Sequence, residues 1–390
     1  MRPSLVSSAL VAALVGFGGS GAVVLSAIQA VGATPVESAS WLTALCLSMA
    51  GTSFWLSWRH RMPILAAWST PGAALLGATA VGGATGPYDI QTAVGAFLAA
   101  GALILASGLL RPLSDAIARI PGAVAAAMLA GVLIAFPIAM FDAATADPLL
   151  ILPLIGLYLV ARLISTAWAV ILVIGAAVAW AMALDRVAAI DGTLAVADLT
   201  LITPTFTVES LIGLALPLFL VSMASQNLPG FAVLRAAGYE PPARSALTVT
   251  GIASIVTAPF GAHTTTMAAI TAALCTGPDT HPDPAQRWKS GLFYAFFYLV
   301  LAAVGVSLVS AFSALPASIV TTVAGLALLT PLMGALKAAM APEETRFAAT
   351  ATLAATASGL TLLGVGSAFW GLALGLLVLG LEALARRLKG

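Results

Sequence analysis

The chain is poor in charge. Only 8% of its 390 residues are Asp, Glu, Lys or Arg, where a soluble domain carries about 25%. A water-soluble fold of this length could not cover its surface with so few charged side chains. That excludes an ordinary cytosolic enzyme and a disordered chain. The charges that exist are balanced, 16 basic against 15 acidic, for a formal net charge of +1. No basic excess exists to attract a phosphate backbone, so nucleic acid is not expected as a partner. Cysteine is scarce. Cys46 and Cys275 both lie in apolar runs at a spacing that suits no metal site, and they read as reduced, buried thiols. The three histidines, His60, His263 and His281, come without an HExxH, CxxC or acid cluster. Neither a metal nor another cofactor is expected.

What the chain has in abundance is apolar sequence. Hydrophobic residues make up 61% of it, in long runs from end to end. A spanning helix needs about 20 mostly apolar residues, and fourteen such segments can be marked out. The first seven are roughly 5–31, 36–58, 63–80, 88–110, 121–140, 148–161 and 165–184. A polar connection, 185–207, follows. The second seven are roughly 208–230, 243–257, 259–275, 288–311, 315–336, 347–362 and 366–385. Arg2 before an apolar stretch resembles a signal peptide, but the rest of the chain is equally apolar, so a first spanning helix is the better reading. Segment six is short because Arg162 interrupts its run.

Charge placement checks the count. With both termini cytoplasmic, 15 of the 16 basic residues fall inside and only Arg186 outside. The acids show no such bias, eight outside and seven inside. Topology follows Lys and Arg and largely ignores acids. A wrong count would invert half the loops and destroy the pattern.

The two halves match in register. Gln29 precedes Pro63 by 34 residues, and Gln226 precedes Pro259 by 33. Each proline opens a related motif, Pro63–Gly72 (PILAAWSTPG) and Pro259–Thr266 (PFGAHTTT). The offset is about 196 residues, half the chain. Seven is odd, so two seven-span halves are inverted across the membrane, a pattern of secondary transporters. Each motif runs from Pro through a short extended stretch to a Ser/Thr cluster, and Ser and Thr cap helices well. The expectation is a short strand followed by a half-helix in segments three and ten. Helix N-termini facing each other near the midplane would suit a carboxylate without Arg or Lys. One motif alone would read as a kink between packed helices.

Gln29, Pro63–Gly72, Ser222–Gly230 (SMASQNLPG) and Pro259–Thr266 together resemble the benzoate:proton symporter (BenE-type) family of bacterial inner-membrane carriers. The resemblance runs over nearly the whole chain. The layout is more distantly similar to uracil/xanthine permeases and the sulfate permease–prestin group. The resemblance implies an all-α polytopic membrane protein of fourteen segments in a 7+7 inverted repeat, comprising repeats 1–184 and 208–390 about the connection 185–207. Segments one to four and eight to eleven would form a core domain, and five to seven and twelve to fourteen a gate domain. Substrate would sit between segments three and ten, facing the gate. Folds of this kind often dimerise, and nothing in the sequence identifies an interface. One departure stands out. Proton-coupled nucleobase permeases carry glutamates on segments eight and ten, where this chain has Gln226, Asn227, His263 and threonines. That fits an anionic substrate, which a fixed carboxylate would repel.

The candidate substrate-binding residues are Gln29, Trp68, Ser69, Thr70, Gln226, Asn227, Gly261, His263, Thr264, Thr265 and Thr266. His263 is the candidate for proton coupling. It can equally contact substrate, or stand as a neutral histidine bonded between helices. Trp68 can stack on an aromatic ring or simply pack. Ser69, Thr70 and Thr264–Thr266 can bond a carboxylate or cap their half-helices. Gln29, Gln226 and Asn227 can bond substrate or tie segments one and eight to the broken backbone. Gly261 can line the site or permit close approach.

The expected function is import of benzoate or a similar aromatic carboxylate by proton symport, through alternating access. Carrying one negative charge into a cell at −100 mV costs about 2.3 kcal/mol, and a co-transported proton removes that cost. Alternatives are the same fold with a nucleobase, sulfate or bicarbonate as substrate, a channel, or a membrane-embedded enzyme. Only Asp279, His281 and Asp283 could serve an enzyme, and among Pro278, Pro282 and Pro284 they read as a solvated turn.

Overall fold

The computed structural model describes residues 2–80, 86–110, 121–164, 166–187, 197–363 and 365–389. Arg111 and Arg119, two of the basic residues in the topology argument, lie outside them, as does the expected first residue of segment seven. Within the described residues each expected segment is present. Seven helices are long and apolar enough to cross a bilayer. Among them are segments one (Pro3–Ala30), two (Pro35–His60), four (Ile90–Leu109), eight (Val208–Ala236) and twelve (Ala317–Met340). Segment five breaks at Ile134 into Gly122–Leu133 and Ala135–Ala146. Segment eleven, Lys289–Ala303 then Gly305–Ser313, bends by 62°. Segments six (Pro148–Ile164), seven (Thr166–Ala183) and nine (Ala243–Thr257) are shorter helices. Segments thirteen (Arg346–Ala357) and fourteen (Ser367–Lys389) complete the chain.

Boundaries differ from expectation where local chemistry intervenes. Segment six continues through Arg162 to Ile164, because a half-buried arginine near a helix end can extend its head out of the apolar layer. Segment thirteen ends at Ala357, five residues early, where Gly359 takes φ +68° and Leu362 pairs with Val365.

Segments three and ten are each a short strand followed by a half-helix. Strand β1 (Ala66–Trp68) precedes Thr70–Gly77, and strand β2 (Thr265–Met267) precedes Ile270–Thr276. The strands pair antiparallel, Ala66 with Met267, Ala67 with Thr266 and Trp68 with Thr265. Ser69 N donating to Thr264 O and Ala268 N donating to Leu65 O lengthen the ribbon at each end. Antiparallel pairing of equivalent pieces is what two inverted repeats require.

A two-stranded ribbon has two free edges, which hydrocarbon does not tolerate. Hydroxyls and an amide from neighbouring segments satisfy them. Ser53 of segment two accepts from Ala66 N at 2.9 Å, and Ser254 of segment nine accepts from Thr265 N at 2.9 Å. Ser57 both accepts from Ile64 N and donates to Ile64 O. Tyr294 donates to Ala66 O at 3.1 Å. Asn227 accepts from Met267 N at 2.9 Å. The two repeats thus use equivalent helices, two and nine, for the same task.

The helices pack in two groups. Segment one lies on three, ten and eleven, segment two on nine and eleven, and segment four on nine. Segment five lies on twelve, thirteen and fourteen, six on seven and twelve, and thirteen on fourteen. Segment one also meets seven and twelve, and segment three meets five. At the four–nine crossing Gly251 lets the helices touch, since a Cβ there would fall 2.5 Å from Leu105 N. The described part of the connection crosses segments two and four. Thr200 N donates to Ser40 Oγ and Thr205 N donates to Gln91 O.

The ribbon predicts a stability effect. Ser254→Ala strands the Thr265 N–H in a buried site, and such a loss costs roughly 1–3 kcal/mol. The thermal unfolding midpoint of the purified protein in detergent should fall, while Ser7→Ala, at an exposed position, leaves it in place. An unchanged midpoint for Ser254→Ala would show that the edge is held by something else.

Candidate functional site

Between the two helix groups lies a cavity of about 850 Å³, within the range of small-molecule sites. One wall comes from the broken segments and their neighbours: Gly16 and Ser20, Trp68 and Thr70, Ser225 and Gln226, Ala269 and Thr271, Tyr294 and Tyr298. The opposite wall comes mainly from segments five and twelve, with Tyr158 of segment six, and is nearly all apolar. Among the described residues that line it, none is Asp, Glu, Lys, Arg or His. The cavity is an uncharged chamber with neutral hydrogen-bonding groups concentrated on one side.

Local sequence explains how each group arrives there. Ser69 caps the segment-three half-helix, its Oγ accepting from Gly72 N at 3.1 Å. Pro71 sits in the first turn and has no N–H, and Ala73 N donates to Ser69 O. The first turn that was to bind an anion is therefore largely occupied, and Thr70 and Pro71 are its residues facing the cavity. Segment eight widens into a π turn at Met223–Asn227. Such turns re-aim side chains and are common at functional positions. This one presents Ser225 and Gln226 to the cavity and leaves Asn227 behind it, bonded to β2.

Segment ten departs from the expected plan. Thr264–Thr266 belong to the ribbon and do not cap the half-helix, which starts after Ala269 without a side-chain cap. Threonine favours an extended, half-packed backbone, and all three hydroxyls are consumed. Thr264 Oγ1 lies 2.8 Å from Ser222 Oγ, which also donates to Ser69 Oγ. Thr265 Oγ1 bonds Ser48 Oγ, and Thr266 Oγ1 donates to Ala67 O. All three threonines are fully buried.

His263 also lies outside the cavity lining, fully buried behind the ribbon. Trp41 Nε1 donates to His263 Nδ1 at 3.2 Å, and His263 Nε2 faces Ser69 O at 3.2 Å. Indole nitrogen only donates and a carbonyl only accepts. The pattern therefore specifies a neutral ring with its proton on Nε2. Trp41 and Phe97 pack around it. Gly261, at φ +94°, turns the chain just before it, against the Trp41 ring. A left-handed backbone there favours glycine.

Of the sequence candidates, Trp68, Thr70 and Gln226 line the cavity. Trp68 is pinned in place. Its Nε1 donates to Ser20 Oγ at 2.8 Å, and its ring meets Phe17 and Tyr298 edge-on at 5.6 and 6.2 Å. Ser69, Asn227, Gly261, His263 and Thr264–Thr266 build the support behind it. Gln29 is exposed at the last turn of segment one and does not line the cavity. Ser225, Thr271, Tyr294, Tyr298 and Thr330 line it without having been singled out from sequence. Thr271 Oγ1 and Tyr298 OH are buried without a hydrogen-bond partner among the described residues. The π turn and the half-helix register that bring Ser225 and Thr271 to the wall leave no mark in hydropathy.

The geometry has counterparts among known proteins. The family model of the benzoate membrane transport protein matches residues 1–381. The chain is 38% identical over 373 residues to the inner membrane protein YdcO of Escherichia coli strain K12. It is 32% identical over 374 residues to the benzoate membrane transport protein of Acinetobacter baylyi. Each alignment covers 96% of this chain and 94% of the relative. Among solved structures, the transmembrane domain of the cyanobacterial bicarbonate transporter BicA is similar at TM-score 0.61 and 15% identity, over 96% of this chain and 97% of that one. The murine anion transporter Slc26a9, in an inward-facing state, is similar at 0.64 and 14%, over 99% of this chain and 69% of that one. These likenesses establish the 7+7 inverted-repeat transporter fold. By sequence over almost its full length, the chain belongs to the benzoate membrane transport protein family.

Proposed function

We propose that this protein imports benzoate or a similar aromatic carboxylate, together with a proton, across a bacterial inner membrane with both termini on the cytoplasmic side. The observation that carries the reading is the cavity wall. An apolar chamber of this volume suits a flat hydrocarbon ring. Trp68 offers a fixed aromatic surface, and Thr70, Ser225 and Gln226 place neutral hydrogen-bonding groups beside it. A nucleobase would present several donors and acceptors to be matched, and most of this wall could match none. A small inorganic anion would leave most of the volume unused.

In this reading segments one to four with eight to eleven form the core body, and five to seven with twelve to fourteen form the gate. The contacts within each group support that division, and movement of one against the other would open the cavity to either side. His263 serves as a neutral strut in this scheme. It links segment two to the turn after β1 and fixes the ribbon, and both its nitrogens are already committed.

Uptake of radiolabelled benzoate into proteoliposomes tests the function. Empty liposomes are the control, since benzoic acid crosses lipid unaided. Accumulation should depend on the protein, rise with an inward proton gradient and collapse with a protonophore. Uptake of uracil or bicarbonate in its place would assign the fold a different substrate. The strut role of His263 makes its own prediction. Glutamine can accept from Trp41 and donate to the Ser69 carbonyl, so His263→Gln should retain uptake driven by the proton gradient. Benzoate binding that survives while uptake stops responding to the gradient would make His263 the proton carrier.

A further inference from the structure

We infer that the coupled proton travels on the substrate itself, and that segment twelve recognises the carboxyl group in its neutral, protonated form. The inference rests on the transport reading above and concerns the same cavity.

Three observations converge on it. The first is the lack of a carrier on the cavity wall. Among the described residues, the titratable side chains lining it are Tyr158, Tyr294 and Tyr298, and phenols ordinarily hold their protons at neutral pH. Segment twelve packs on segments one, five, six, seven and thirteen. Their charged groups are Asp142, Arg162 and Arg346, with Lys337 on segment twelve itself, and none of these lines the cavity. His263 has both nitrogens bonded elsewhere.

The second is the weakness of the anion site at the segment-three half-helix, its partner in segment ten having only seven residues. Ser69 has taken the Gly72 N–H, and Pro71 has none to offer. A carboxylate brought into an apolar chamber without a counter-charge loses its hydration, which raises its pKa and favours the acid.

The third is the wall opposite. Pro331 lies inside the segment-twelve helix and cannot donate to the carbonyl of Ala327, four residues earlier. The Thr330 hydroxyl has no hydrogen-bond partner among the described residues. Ala327, Thr330, Pro331 and Gly334 all line the cavity, so the gap in the helical ladder lies at its wall. A carbonyl oxygen only accepts. It can therefore welcome the O–H of a carboxylic acid and repel an ionised carboxylate. The Thr330 hydroxyl can donate in turn to the acid's C=O. Such a pair reads protonation directly, and no ionisable side chain is needed.

The proton balance is simple. On the side facing the gradient, a carboxylate oxygen takes a proton from hydronium at the cavity mouth. An O–H bond forms on the substrate and water is left behind. On the other side the acid returns that proton to water. One negative charge and one proton cross together, and no bond to the protein forms or breaks.

Competition in proteoliposomes tests this, once wild-type protein shows protein-dependent benzoate uptake. Benzenesulfonate keeps the ring and stays ionised. Benzamide keeps the ring and carries both a donor and an acceptor without charge. Benzamide should compete equally at about pH 6 and pH 8. Benzenesulfonate should be at least about 100-fold weaker than benzoate, as expected when a buried polar group is left unmatched. The benzoate KM should rise about tenfold per pH unit across this range, following the fraction of neutral acid. Thr330→Val should raise the benzoate KM and the benzamide inhibition constant about tenfold each, the loss of one buried hydrogen bond, while Thr330→Ser retains both. Benzenesulfonate competing as well as benzoate, or Thr330→Val leaving both constants unchanged, would overturn the inference while leaving the transport reading in place. Failure of wild-type uptake would instead defeat the transport reading on which it rests.

Discussion

A strand inside a bilayer must find partners for every backbone group, and the fold is organised around meeting that demand twice. Segments three and ten each interrupt a helix with extended chain, and each supplies the other's inner edge. The outer edges are closed by Ser53, Ser57, Ser254, Tyr294 and Asn227, drawn from segments two, eight, nine and eleven. Every helix that closes an edge is thereby fixed against the ribbon. Ser53, Ser57 and Ser254 are spent on structure, behind the ribbon, while the cavity opens in front of it.

That division of labour explains the neutrality of the cavity. A charge at this depth is expensive unless it is paired, and among the described residues no Asp, Glu, Lys, Arg or His lines the wall to pair with one. Polar recognition is left to hydroxyls, an amide and backbone at helix interruptions. Such groups suit a substrate whose own charge can be cancelled by a proton. An uncharged wall and the electroneutral step proposed above are two expressions of the same physical limit.

Much of this was legible in the sequence. Apolar runs place the segments, because the length of apolar sequence is what a bilayer selects. The repeated Pro motifs mark the broken segments, and Ser69 followed by Thr70 and Pro71 reads correctly as a helix start. The Thr264–Thr266 cluster misleads in that respect. The same residue type serves a cap or a strand, and only the partner strand decides between them. His263 drew attention as a lone ionisable residue, yet its meaning depends on Trp41, 222 residues away. Ser53 and Ser254 could not be singled out, since a serine in a spanning helix usually bonds its own preceding turn. Thr330 and Pro331 look like tolerated irregularities in an apolar run until the cavity is seen beside them.

The account's central claim is that an aromatic acid occupies the chamber between the ribbon and segment twelve. The most direct measurement is a structure of the protein with 4-iodobenzoate, locating the iodine by its anomalous signal. One peak is expected inside the cavity, with the ring alongside Trp68 and the carboxyl group within hydrogen-bonding reach of Thr330. A peak outside this cavity, or a carboxyl group bonded to His263, would contradict it.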